Sequence, residues 1–178
     1  MSADPPAPEF TLADVQGETH KLSDFKGKIV VLEWTNYDCP FVKKHYGSGN
    51  MQKLQEKYTA KNVVWLSICS SAPGKQGHFT PDTWGKKIAE RKAQATAVLL
   101  DADGKVGRAY GARTTPHMFI VAADGTLAYK GAIDDKPSWN PATLKDAKNY
   151  VVAALDALLA GESVAVDETK PYGCSVKY

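Results

Sequence analysis

Hydrophobic positions follow two rhythms along the chain. Ile29 to Trp34 (IVVLEW) and Val63 to Ile68 (VVWLSI) are nearly continuous apolar runs, the pattern of strands covered on both faces in a parallel sheet. Ala97 to Leu100 is a third, shorter run. Between these runs the spacing turns helical. A helix is expected from Pro40 to about Tyr46 and another from Met51 to Tyr58, with Leu54 and Tyr58 sharing a face. A third helix starts at Thr80 as N-cap with Pro81 in its first turn and runs to about Lys92. Val106 to Tyr110 reads as a short helix. Met118 to Ala122 and Leu127 to Ile133 read as strands joined through Asp124-Gly125, a hairpin signal. Asn140-Pro141 opens one last helix that lines up Leu144, Ala147, Val151, Leu155 and Leu158 and ends at Gly161. At the front, Phe10 and Leu12, the Gln16-Gly17 turn, then His20 and Leu22 predict a β-hairpin, followed by a helical turn at Ser23 to Phe25.

Strands alternating with helices, closed by an antiparallel pair and a helix, describe an α/β sandwich around a mixed sheet. Its expected organisation is a flexible leader over 1–7, one domain over 8–161 and a tail over 162–178 that carries Cys174. The 178 residues, 43% hydrophobic and 24% charged, suffice for one buried core. A net charge of +2, evenly spread, gives no reason to expect a nucleic-acid or membrane partner. No apolar run approaches a transmembrane length. No Gly-rich phosphate loop follows a strand, so no organic cofactor is expected. The proline-rich start is not a signal peptide, which leaves two locations open: the cytoplasm, or the periplasm after removal of an export signal.

The chemistry concentrates where the first buried strand turns into a helix. Cys39 precedes Pro40, which places its sulfur at the positive end of that helix, where a thiolate is stabilised. Lys43 and Lys44 add positive charge one turn on, and Asp38 opposes them. The competing reading is a buried cysteine that only fills space. Three cysteines, Cys39, Cys69 and Cys174, are too few for a disulfide scaffold, and the odd count fits redox use better than stapling.

The hairpin, the strand–turn–Cys39-Pro40–helix unit and the stretch TTPHMFIVAADG (Thr114 to Gly125) together resemble the thioredoxin-fold redoxin superfamily. Within it the chain is similar to bacterial peroxiredoxin-like proteins (the alkyl hydroperoxide reductase/thiol-specific antioxidant type) with a single Cys-Pro-Phe-Val motif and a C-terminal Gly-Cys-Ser segment. The resemblance implies a thioredoxin-like three-layer α/β/α sandwich and a thiol-based oxidoreductase or antioxidant protein. Cys39 would be the nucleophile, the substrate a peroxide or a protein or low-molecular-weight disulfide, and the regenerating partner an external thiol. It also implies that Pro116 is a cis-proline facing Cys39, with Thr115 presenting its backbone to a bound chain. Trp34 and Tyr37 are expected to wall the site.

The departures from the family pattern are specific. Val42 stands where thioredoxins carry their second cysteine, so Cys39 has no adjacent resolving thiol. Asn36 and Leu32 stand where peroxiredoxins carry threonine and proline, with Thr35 as a possible substitute. Cys174, in a flexible Gly-containing tail, is the preferred resolving thiol, with Cys69 at the end of its strand as the alternative. Arg113 is a candidate to hold a thiolate or peroxide oxygen by turning inward.

Two rival readings remain. Cys39, His45 and His117 could converge on copper(I) or zinc, although Lys43 replaces the second cysteine of the copper chaperones, and His45 reads as a surface residue and His117 as a strand residue with its own hydrogen bond. Alternatively, Cys39 is idle and the positive site with its cis-proline edge binds an extended peptide. His20 reads as a surface residue without an acidic partner, His78 has no assigned role, and Asp101 to Gly104 is a plain turn lacking a calcium-loop glutamate.

Overall fold

The computed structural model describes residues 4–178. A five-stranded sheet forms the middle layer. Its strands are β3 (Val30–Trp34), β4 (Val64–Cys69), β5 (Ala97–Leu100), β7 (His117–Val121) and β8 (Leu127–Gly131), in the order β5-β4-β3-β7-β8. β3, β4 and β5 run parallel, and β7 and β8 are antiparallel to their neighbours. The hairpin of β1 (Thr11–Ala13) and β2 (Thr19–Lys21) docks beside β5, where Val15 N–H donates to Val98 C=O.

Side chains of β3 alternate between two cores, as the period of two requires. Val31 packs with residues of α1 (Pro40–Gly47), α2 (Asn50–Thr59), α3 (Pro81–Arg91) and α5 (Tyr150–Leu159). Val30, Leu32 and Trp34 face the other way, toward Phe10, Leu22 and the Tyr110 end of α4 (Lys105–Tyr110). The result is the expected mixed-sheet α/β/α sandwich.

Two local expectations change. The last helix is two pieces: a 3-10 segment, Pro141–Asp146, then α5 with its own N-cap, the Asn149 side chain accepting from Val152 N–H. Backbone pairing between Asp135 and Lys148 breaks the helix between them. The chain ends are also more ordered than expected, although residues 1–3 of the leader lie outside the described ones. Leu127 N–H donates to Pro5 C=O, and Ala7 N–H to Gly125 C=O.

The tail is not a free arm. Its first part pairs along β8, with Lys130 N–H donating to Asp167 and Thr169 N–H to Lys130, which covers an edge that would otherwise offer unpaired backbone groups. Its last part forms β9 (Cys174–Ser175), antiparallel to the two-residue β6 (Thr114–Thr115). No helix among the described residues is long and apolar enough to cross a membrane.

Candidate redox site

Cys39 is the N-cap of α1, in extended backbone geometry with Pro40 next. The turn that delivers it is built by Asn36, whose carbonyl accepts from Cys39 N–H and whose side chain accepts from Asp38 N–H. Opposite the sulfur lies the cis peptide between Thr115 and Pro116. The Cys39 thiol donates to Thr115 C=O at 3.2 Å, and the Cys174 sulfur lies 2.7 Å away. Both thiols are free, and their separation is within an ångström of the roughly 2.05 Å of a disulfide. Cys39 is fully buried, whereas Cys174 is half-buried.

The two thiols are electrostatically unequal. Burial opposes ionisation of Cys39, but hydrogen bonds outweigh it and hold this thiol below the ordinary range. They come from Cys174, from the Thr115 side chain, and from the N–H groups of Val42 and Cys174. Cys174 moves the other way: burial, its hydrogen bond to Cys39 and the charge of that neighbour push it up to about 11. Cys39 therefore ionises more readily than Cys174, and the thiolate is the strongly nucleophilic form. Cys69 sits apart in a buried pocket, its thiol donating to Gly77 C=O at 3.5 Å and its ionisation suppressed mainly by burial.

Several expected site residues fall elsewhere. Trp34 is fully buried on the opposite face of the sheet from Cys39, bonded through Nε1 to Ser70 Oγ and packed on Tyr110 and Phe119. It cannot wall the site because it shares parity with Leu32. Tyr37 shares the Cys39 core but is also fully buried, packed on Tyr46 and Trp84. Thr35 is buried and its hydroxyl has no partner, so it does not replace the peroxiredoxin threonine at the Cys39 sulfur. Arg113 has an exposed side chain; its contribution is backbone, its C=O accepting from Val176 N–H. Lys43 is exposed, and Lys44 is buried with Nζ donating to Lys136 C=O at 3.2 Å. The groups that hold the Cys39 thiol down are thus hydrogen-bond donors in direct contact, in place of the expected lysines.

The metal convergence does not form either. His45 is buried, not on the surface, with one ring nitrogen toward Tyr172 Oη and the other toward Asn50 Nδ2. Burial and the neighbouring Lys44 charge push it down to about 3. His117 accepts from Arg113 N–H through Nδ1. Among the described residues only Asp14, Glu18 and His20 bring three candidate ligand atoms together. Asp14 is already engaged there by two backbone N–H groups and by His20 Nε2 at 2.7 Å, the acidic partner that His20 was not expected to have.

Three groups near the site stand out only in three dimensions. Glu33 lies in the middle of β3, fully buried, and its carboxylate receives donors from Tyr46, Gln55, Trp65 and Ser67. Tyr172 donates to Asp134 Oδ1 at 2.6 Å, and Tyr178 to Ala112 C=O at 2.6 Å. The signals were present: a lone charge in an apolar run, and a tyrosine on each side of Cys174.

A buried cysteine at the head of a helix, a facing cis-proline and a second thiol in contact define a dithiol site on a thioredoxin-like fold. The chain belongs to the AhpC/TSA family, whose model matches residues 4–130. Two solved structures are similar over nearly the whole chain. One is a hypothetical protein from Sinorhizobium meliloti 1021, 26% identical, covering 100% of this chain and 95% of that one at a TM-score of 0.85. The other is an uncharacterized conserved protein from Geobacillus kaustophilus, 30% identical, covering 98% and 91% at a TM-score of 0.84. Among curated relatives, a thiol-disulfide oxidoreductase ResA from Geobacillus thermodenitrificans is 27% identical over 121 residues, covering 68% of this chain. The match spans 64% of that relative's length.

Proposed function

We propose that this chain is a thiol oxidoreductase in which Cys39 is the nucleophile and Cys174 the resolving thiol. The 2.7 Å approach of the two sulfurs carries the reading. The Cys39 thiolate attacks a peroxide oxygen, breaking the O–O bond to leave a sulfenic acid and an alcohol or water. Cys174 then attacks the Cys39 sulfur, and water departs as the disulfide forms. With a disulfide as oxidant, Cys39 forms a mixed disulfide and expels one thiolate. Cys174 displaces the second thiol from the Cys39 sulfur. In either case two electrons from an external thiol reductant restore the dithiol.

The name of the ResA relative favours disulfide exchange, and the AhpC/TSA family match favours peroxide. The unpartnered Thr35 hydroxyl speaks against a peroxiredoxin-style activation of peroxide. Reduced protein treated with one equivalent of hydrogen peroxide or of a small disulfide, then alkylated, digested and weighed, tests the assignment. The expected product is a Cys39–Cys174 disulfide with Cys69 still alkylated. A bridge to Cys69, or three unmodified thiols, would sink it.

A further inference from the structure

The backbone edge that would receive an extended peptide at Thr115 is already taken. Thr115 pairs with Cys174 and Thr114 with Ser175 in antiparallel register. Gly173 lies directly against Thr115 C=O, with a φ of +148° and no room there for a Cβ. The segment is fastened at both ends. Upstream, Tyr172 donates to Asp134, with His45 Nε2 3.3 Å from the same hydroxyl. Downstream, Val176 N–H donates to Arg113 C=O and Ala72 N–H to Lys177 C=O. Tyr178 donates to Ala112 C=O, and the Arg108 guanidinium lies 4.5 Å over its ring.

The tail thus lies where a substrate strand would add to the sheet, and it presents a sulfur to Cys39 as a bound polypeptide would. Cys39 is itself fully buried, so any oxidant must displace part of its cover, and a molecule of a few atoms displaces less of it than a polypeptide does. A polypeptide disulfide needs the β6–β9 ladder itself undone, together with the fastenings on one side of it.

We propose that the C-terminal tail, fastened by Tyr172 and Tyr178 over the Thr115 edge, restricts Cys39 to small oxidants and excludes polypeptide disulfides until it lifts. The proposal rests on Cys39 being the nucleophile. The test compares second-order rate constants for loss of the reduced Cys39 thiol, measured by quenched alkylation and mass spectrometry, with bis(2-hydroxyethyl) disulfide and with insulin. Both reactions use the same thiolate, so a change in its ionisation cancels in the insulin-to-small-disulfide ratio. Tyr178→Ala is expected to raise that ratio at least tenfold, Tyr178→Phe, which removes only the hydroxyl bond, by less, and Tyr172→Ala/Tyr178→Ala by more. If Cys39 reacts but the ratio stays within twofold of wild type in all three, the tail is no barrier and the proposal is overturned. If Cys39 is inert to both disulfides in every variant, the nucleophile assignment falls and the proposal with it.

Discussion

Cys174 shares a rung of antiparallel sheet with Thr115, the residue whose carbonyl accepts from Cys39 and whose peptide bond to Pro116 is cis. The Cys174 sulfur is therefore positioned by backbone pairing, while the Cys39 sulfur it faces is positioned by the head of a helix. Removing Cys174 tests the electrostatic half of that relationship. In Cys174→Ala the sulfur donor that helps hold Cys39 down is gone. The midpoint of iodoacetamide alkylation at Cys39 is expected at higher pH than in wild type, with a several-fold slower reaction at pH 7. An unmoved midpoint would show that contact with Cys174 does not depress Cys39.

Closing the Cys39–Cys174 bond ties residues 135 apart in sequence. Loop-closure entropy lost from the unfolded chain is worth at most about 5 kcal/mol at that separation. The oxidised protein is expected to melt above the reduced one, by up to roughly 10–20 °C from the usual scaling for a chain of this size. Calorimetry with and without reductant checks this, and Cys174→Ala is expected to show no such difference.

Glu33 gathers four side-chain donors in a core without water access, so its removal strands them. Glu33→Leu is expected to cost about 3–5 kcal/mol, since orphaned buried polar groups carry their full desolvation penalty. Glu33→Gln, of similar shape and still an acceptor, is expected to cost clearly less. Urea midpoints of the two variants decide; equal losses would mean that packing and not hydrogen bonding sets the cost.

His45 and His117 are held neutral, mainly by burial, with values pushed down to about 3 and about 4. The unfolded chain takes up protons near pH 6.5 and the folded one does not. Each histidine thus stabilises the fold fully above about pH 6.5 and loses that contribution as pH falls. At pH 5 the loss is about 2 kcal/mol for each. Glu33, pushed up by burial, acts with the opposite sign. The clean readout is therefore the difference between wild type and His45→Asn, whose stability is expected to depend less on pH between 7 and 5.

The sheet was legible because its strands are apolar runs of strand length, and Cys39 because a proline after a cysteine marks a helix start. The tail pairing was not, since Tyr172 to Tyr178 has no periodicity and a two-residue strand depends on the partner edge, which is remote in sequence. The break before α5 escaped because Asn140 and Asn149 both cap well, and only Asp135, across the turn, selects the second. Trp34 could have been placed: alternation through Val30 and Leu32 already sends it to the face away from the helices that bury Cys39. His45 could not, because nothing local says that Tyr172 will cover it.

An ordered tail also sets a competition. A sulfenic acid at Cys39 has two fates: condensation with a neighbouring thiol, or a second oxidation to sulfinic acid, which ordinary thiol reductants do not reverse. A thiol that must swing in from solvent leaves time for the second. Cys174 is held in contact, at an effective concentration far above that of any dissolved oxidant. Under excess peroxide this dithiol would stop at the disulfide, oxidised but recoverable.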